Sequence, residues 1–259
     1  MKQVKRKKTI LIAGYGNIGK LEYEVYKKKF DVFIYDKFKE GYNDVSVKEQ
    51  LYDFCIICVD TPLKDGQLDI SAVEDVITSV KANIFISRST LPVGSTEYLN
   101  KTYNAHLVMI PEFYGTTQHA NNFEFDFTIL GGDKEDCLKC QQMYQELYDG
   151  RHTFRIVDGK TAEIAKFMEN SYLAMKVSFC AEFWRICQEF GAHYEEVREC
   201  MKLDPRFGGQ HSFIYDEHPY WSSHCLDKDV PSIANQSNSM FLKDMIKFNE
   251  YMKHYNEEE

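Results

Sequence analysis

Gly14, Gly16 and Gly19 stand at G-x-G-x-x-G spacing, directly after the apolar run Ile10-Leu11-Ile12-Ala13 and before a helical stretch. Each glycine meets a separate demand. The first allows a tight turn, the second lets backbone approach a pyrophosphate, and the third packs helix on strand. Asn17 and Ile18 lie inside the same turn and are counted with it as cofactor-contacting. Asp36 ends the next β-rich run, where a carboxylate accepts hydrogen bonds from adenosine ribose hydroxyls, and an acid there favours NAD over NADP. Lys37 and Lys39 beside it would soften that preference by meeting a 2′-phosphate, without reversing it. The glycines alone are a weak signal; strand, helix and acid together make this a dinucleotide site.

Lys166 and Asn170 are four apart in a helical stretch, which puts a cation and an amide donor on one face about a turn apart. Such donors suit a developing oxyanion in a dry site. The blander reading is a surface pair between Glu163 and Lys166, worth about 0.2 to 0.5 kcal/mol. Cys55 with Cys58, and Cys137 with Cys140, form two C-x-x-C pairs. Without further His or Cys at finger-like spacing they read as ordinary packing and surface cysteines, not as a zinc site.

The elements that must position these groups follow from the hydrophobic pattern. From residue 9, β-rich runs alternate with helical stretches, the signature of a parallel sheet covered on both faces. Strands are predicted at Thr9 to Ala13, Asp31 to Tyr35, Phe54 to Val59, Asn83 to Ser87, His106 to Ile110, Phe127 to Leu130 and Thr153 to Val157. Helices are predicted near 17 to 28, 71 to 80, 94 to 102 and 134 to 148, then over Thr161 to Phe190, near 194 to 202, and in one last helix from about 228 to 254. The fold class is α/β: a Rossmann-like parallel-sheet domain over residues 1–159, followed by a central long-helix segment over 160–259. The long helix carries apolar residues on almost every face, so it should be buried all round, inside its own chain or against a second copy.

Apolar residues make up 44% of the chain and charged residues 27%, near the soluble globular average, which argues against disorder and fibre. A net charge of −9 would repel a phosphate backbone and weighs against nucleic acid as partner. The basic run Lys2, Lys5, Arg6, Lys7 and Lys8 reads as a solvated tail, with acidic Glu257 to Glu259 as its counterpart. There is no membrane-length apolar stretch and no signal-peptide pattern. With eight cysteines in no secreted framework, the reading is a reducing, cytoplasmic setting without membrane association.

Further motifs fall in order along nearly the whole chain: Val59-Asp60-Thr61-Pro62, Ser89-Thr90-Leu91-Pro92-Val93-Gly94-Ser95-Thr96, Pro111-Glu112-Phe113 and Leu130-Gly131-Gly132. They continue with Ala162-Glu163-x-x-Lys166-x-x-x-Asn170-x-x-x-Ala174, Gly191-Ala192, Asp204-x-Arg206-x-Gly208 and Cys225-x-x-Lys228-Asp229. In this ordered set the chain resembles the UDP-glucose/GDP-mannose dehydrogenase family. The resemblance implies oxidation of a sugar nucleotide's primary alcohol to a carboxylate, with two hydrides passed to two NAD. It makes Cys225 the nucleophile that adds to the intermediate aldehyde, leaving a thioester for water to cleave. Lys166 and Asn170 become oxyanion donors, Asp229 a proton acceptor acting through water, Thr90 the holder of that water, and Glu112 the residue assisting thioester hydrolysis.

The resemblance also implies that Val59, Thr61, Pro62, Ser89 and Lys228 contact NAD, and that Phe113 and Arg206 contact substrate, Arg206 by reaching into a neighbouring subunit. A homodimer through the long helix goes with that role. Independently of the resemblance, Ser89, Thr90 and Glu112 sit just beyond the carboxyl ends of predicted strands, where ligands bind in open α/β sheets.

The chain departs from the family pattern in four places. Before the cysteine the family has a glycine-rich loop, and here Pro219-Tyr220-Trp221-Ser222-Ser223-His224-Cys225 stands instead. Side chains therefore occupy room that glycines left, and the sugar pocket should be reshaped or partly filled. Thr116 stands at a second family acid and Phe127 at a family arginine. The family's third, nucleotide-gripping domain has no counterpart in these 259 residues, which reads as a truncated form. The expected function is NAD-dependent oxidation of a nucleotide sugar, UDP-glucose 6-dehydrogenase-like. The alternatives are a β-hydroxyacid-type dehydrogenase, which has the Lys-x-x-x-Asn helix but no catalytic cysteine, and an inactive or partner-dependent cofactor-binding homologue.

Overall fold

A computed structural model of the chain describes residues 6–114, 125–148 and 150–255. Lys2, Lys5, Thr116 and Glu257 to Glu259 lie outside the described residues. Two compact units divide it. The first comprises the described residues of Met1–Lys64, Leu68–Tyr114 and Phe123–Lys166, and the second those of Asp65–Gln67 and Phe167–Glu259.

The first unit is built on seven strands: β1 Thr9–Ala13, β2 Asp31–Tyr35, β3 Leu51–Ile57, β4 Lys81–Ser87, β5 Leu107–Met109, β6 Phe127–Gly131 and β7 Thr153–Val157. They lie in the order β2-β1-β3-β4-β5-β6-β7. The sequence reason is visible in β1, β3 and β4, whose apolar runs alternate between two cores as a period of two requires. Leu11, Ala13, Cys55, Ile57 and Phe85 face a core with Val73, Val76 and Leu99. Ile10, Ile12, Phe54, Ile56, Ile84 and Ile86 face the other, with Tyr26, Cys137 and Met143. Helices α1 Asn17–Tyr26, α2 Ser71–Ser79, α3 Ser95–Tyr103 and α4 Lys134–Gln145 supply those covering residues.

β1 pairs in parallel with both β2 and β3, so the chain leaves β1 toward one edge and crosses to the other side. That reversal opens a crevice at the carboxyl ends of β1 and β3, where the glycine turn lies. Within this predominantly parallel sheet, β5 and β6 are antiparallel, meeting at Met109 and Gly131, and β7 runs parallel to β6. No described residue between β5 and β6 is helical, and an antiparallel neighbour needs no crossover helix.

The second unit contains α6 Tyr194–Met201, α7 Leu226–Gln236 and α8 Met240–His254, and α5 Gly159–Phe190, 32 residues long, carries residues of both units. Its core gathers Cys180, Ala181, Trp184, Tyr194 and Met252, with Ala174, Trp221, Val230 and Met245 alongside. The full burial expected of α5 is not met within the chain. Ile164, Met168, Tyr172, Phe179, Phe183 and Phe190 are exposed, Met168 by 73% and Phe190 by 82%. At spacings of four or seven residues they form an apolar stripe, because one chain covers only one side of this helix.

The single last helix expected over 228 to 254 is two. Asn238 adopts a left-handed φ of 52°, and the Ser239 hydroxyl accepts from the Leu242 amide to start α8. Asn and Ser carry the side chains that stabilise such breaks. Cys137 and Cys140 are not surface residues; both lie on the buried face of α4, and burial raises the Cys137 thiol to about 12. The described part of the basic tail is tied down: Arg6 pairs with Asp53 at 2.8 Å, Lys7 with Asp31 at 3.8 Å, and Lys8 with Glu146. Among the described residues no helix is long and apolar enough to cross a membrane, and no cluster of three His, Cys, Asp or Glu could hold a metal ion.

Candidate active site

The glycine turn shows why Gly14 and Gly19 exclude a side chain in the free protein. Gly14 has φ +93°, and a Cβ there would meet the Cys58 carbonyl at 2.6 Å. At Gly19 a Cβ would come within 2.0 Å of the Gly14 carbonyl. Gly16 has open space within 4 Å and sits at the N-cap of α1, which has neither a side-chain cap nor an acid in its first turn. Asn17 and Ile18 open that turn, so their amides are presented to an anion. These residues fit a dinucleotide's pyrophosphate.

Asp36 is anchored by backbone: Oδ2 accepts from the Tyr15 amide at 2.8 Å and Oδ1 from the Phe38 amide at 3.0 Å. A carboxylate has about four acceptor sites, so capacity remains for ribose hydroxyls. Lys39 donates to the Tyr15 carbonyl at 3.1 Å and lies 4.8 Å above the Tyr15 ring, while Lys37 lies 4.0 Å from Asp75. Both lysines thus have acceptors of their own beside Asp36.

The loops after β3 and β4 are stapled to each other. The Thr61 hydroxyl donates to the Thr90 carbonyl at 2.9 Å, and the Ser89 hydroxyl donates to the Val59 carbonyl at 2.6 Å. Thr61, Ser89 and Thr90 are buried, and Pro62 is exposed. The Ser89 and Thr61 hydroxyls are therefore spent on loop geometry.

Glu163 is fully buried and does not pair with Lys166 at the surface. Its carboxylate accepts from the Gly94 amide at 2.5 Å, the Thr96 amide at 2.7 Å and the Thr96 hydroxyl at 2.7 Å. It thereby holds the start of α3 against α5, and burial raises its pKa despite these donors. Lys166, buried as well, stands 3.8 Å from Glu112 and 5.3 Å over the Phe113 ring. Glu112 also accepts from the Tyr114 amide at 2.8 Å. Phe127 packs 5.3 Å from Phe113, so an aromatic contact stands where the family pattern has a cation.

In the second unit Asp229 is fully buried and bound on both oxygens. Asn170 donates to Oδ2 at 2.6 Å and Lys228 to Oδ1 at 2.7 Å. Cys225, half-buried, occupies the N-cap of α7, one turn before Asp229. Arg206 is held by Asp204 at 2.6 Å with its side chain 89% exposed. In the loop that stands in place of the family's glycine-rich one, Trp221 turns into the scaffold, while Ser222, Ser223 and His224 are exposed. Trp221 is buried and donates through Nε1 to Ser178 at 3.0 Å. Its backbone exchanges two hydrogen bonds with the Asn249 side chain, at 2.9 and 3.0 Å. Ser223 accepts from the Leu226 amide and Ser222 donates to Asp227.

The first unit carries the glycine turn with Asp36, the joined loops of Thr61 and Thr90, and Lys166 beside Glu112 and Phe113. The second brings together Asn170, Cys225, Lys228 and Asp229. The role of Glu163 and the anchoring of Trp221 by Asn249 were not foreseen. An acid three residues before Lys166 was a local signal for the first, whereas the Asn249 pairing spans 28 residues and had none.

Residues 13–151 match the family model of the UDP-glucose/GDP-mannose dehydrogenase family, NAD binding domain, and residues 160–258 match that family's central domain. UDP-glucose 6-dehydrogenase of Rickettsia prowazekii is 27% identical over 216 residues, 76% of this chain and 49% of that protein. UDP-N-acetyl-D-mannosamine dehydrogenase of Methanococcus vannielii is 27% identical over 229 residues, 82% of this chain and 51% of that protein. The chain thus spans about half the length of the curated relatives it matches. In fold it is similar to a UDP-glucose dehydrogenase from Pyrobaculum islandicum, with TM-score 0.80, 19% identity, and coverage of 98% of this chain and 71% of that one.

Proposed function

Because the chain belongs to the UDP-glucose/GDP-mannose dehydrogenase family, and its first unit is that family's NAD-binding domain, we propose that it oxidises a nucleotide sugar, of the UDP-glucose type, to the uronate. The observation that carries the reading is Cys225 at the head of α7 with Asp229, Asn170 and Lys228 in the same unit. A simple alcohol dehydrogenase has no need of the thiol.

NAD, when bound, accepts a hydride in each of two oxidations. Asp229, through a water, takes the proton of the primary alcohol as it becomes an aldehyde. The Cys225 sulfur then bonds to the aldehyde carbon, and the second oxidation of that adduct leaves a thioester. Water, oriented by Thr90 and assisted by Glu112, attacks the thioester carbon; the carbon–sulfur bond breaks and the thiol is restored. Lys166 and Asn170 stabilise the oxyanion of each tetrahedral stage. Val59, Thr61, Pro62, Ser89 and Lys228 shape the cofactor's surroundings in this reading, and Phe113 and Arg206 contact substrate.

The apolar stripe of α5 supports a homodimer in which Arg206 serves a neighbouring subunit. The interval between the two family matches supports a domain boundary at Gly159. That none of the eight cysteines is in a disulfide supports a cytoplasmic setting. The test is NADH formed per substrate when the protein meets NAD and a panel of nucleotide sugars including UDP-glucose. Two NADH per substrate, lost in Cys225→Ser, is the expected result; no NADH from any sugar while NAD binds would overturn the reading.

A further inference from the structure

Beneath the loop that carries Glu112 lies a charge pair with no part in the chemistry above. Arg88 follows β4 directly, and its side chain is 8% exposed; Glu22 on α1 is 3% exposed, and the two meet at 3.0 Å. The guanidinium has a second set of acceptors. Arg88 Nη1 donates to the carbonyls of Ile110 at 2.9 Å and Pro111 at 3.4 Å, the two residues immediately before Glu112. Its face also lies 5.7 Å from the Tyr114 ring, and the Tyr114 amide donates to the Glu112 carboxylate. Arg88 thus holds the backbone just before Glu112 and packs against the ring two residues after it.

The other end of the clamp is the cofactor helix. α1 begins at the glycine turn, and Glu22 stands on its second turn. A guanidinium is suited to this place because its rigid fork serves a carboxylate and carbonyls at once, which the point charge of an ammonium cannot do. A buried pair of this kind is weak evidence for stability, since desolvation offsets much of the attraction. Its geometry has a definite consequence: the loop bearing Glu112 is referenced to the helix that receives the cofactor.

We propose that Arg88 is a positioning residue that holds Glu112 in register with α1 through Glu22. The role of Glu112 in this inference rests on the dehydrogenase reading; the clamp itself does not. The experiment uses the full chain in two variants. Glu22→Gln with Arg88→Met removes both charges together and leaves no buried unpaired ion, and Arg88→Lys keeps the charge but loses the fork. Local hydrogen exchange across residues 110–114 is measured beside kcat and the KM for NAD.

In the double variant, exchange of that segment is expected to rise about tenfold more than in the rest of the sheet. A displaced reacting group costs about 100-fold in kcat, with the KM for NAD unchanged because the glycine turn is intact. Arg88→Lys is expected to fall between wild type and the double variant in both readouts. If the double variant does not fold, Arg88→Lys decides alone. Wild-type exchange and kcat in a folded variant would overturn the proposal and leave the pair as core packing only. If the wild type forms no NADH, the dehydrogenase reading fails, and unchanged exchange at 110–114 would still overturn the clamp on its own.

Discussion

The turn at Gly14 to Gly19 and the loop at Pro219 to Cys225 each lead into a helix, yet they are held in opposite ways. In the first, space is made by absent side chains: Gly14 and Gly19 sit where a Cβ would strike backbone carbonyls at 2.6 and 2.0 Å. In the second, a loop without glycine is anchored by the Trp221 side chain on Ser178, by the Trp221 backbone on Asn249 and by Ser223 on α7. A turn made by absence tolerates few substitutions at Gly14 and Gly19, because an added Cβ meets backbone. A loop held by side chains is fixed by its neighbours, and it changes freely as long as they change with it. That contrast explains how the chain keeps the cofactor turn intact while the loop before Cys225 has diverged.

Cys225→Ser should lower uronate formation by about 10⁴-fold or more, as removal of a nucleophile does, with NAD affinity unchanged by titration. A smaller loss would remove the thiol from the mechanism. Trp221→Ala should cost about 3 to 5 kcal/mol of unfolding free energy, while Trp221→Phe, keeping most of the volume, should cost about 1 kcal/mol for the hydrogen bond to Ser178. Denaturation midpoints check both; equal costs would mean that the loop is not held from the core.

Gly14→Ala should destabilise the first unit by about 1 to 3 kcal/mol through strain at positive φ, visible as a lower Tm without cofactor. Gly16→Ala should separate the two kinds of glycine. Its Cβ has room in the free protein, so the unfolding free energy should stay within about 0.5 kcal/mol of wild type and Tm nearly unchanged, while NAD affinity falls about tenfold, roughly 1.4 kcal/mol. A drop in Tm with affinity intact would reverse the assignment. Smallest of all, Asn238→Gly should change stability by only a few tenths of a kcal/mol, since the left-handed residue between α7 and α8 suits either side chain.

The sequence by itself determined the elements whose cause is local. The apolar runs of β1, β3 and β4, the glycine turn with Asp36, and the helical spacing of Lys166 and Asn170 were legible because periodicity and turn chemistry act over a few residues. Cys225 and Asp229 were nominated by the family resemblance alone, and their roles belong to the proposed function. What only the tertiary structure decided has its cause at long range. The reversed direction of β6 and β7 depends on how a connection is routed, and the break at Asn238 competes with an otherwise helical pattern. Glu163 looked like half of a surface pair until packing brought Gly94 and Thr96, about 70 residues away in sequence, onto its carboxylate. Glu22 and Arg88, separated by 66 residues, carry no mutual signal along the chain. A buried charge is chosen by the partners that fold around it, and those partners exist only once the sheet has formed.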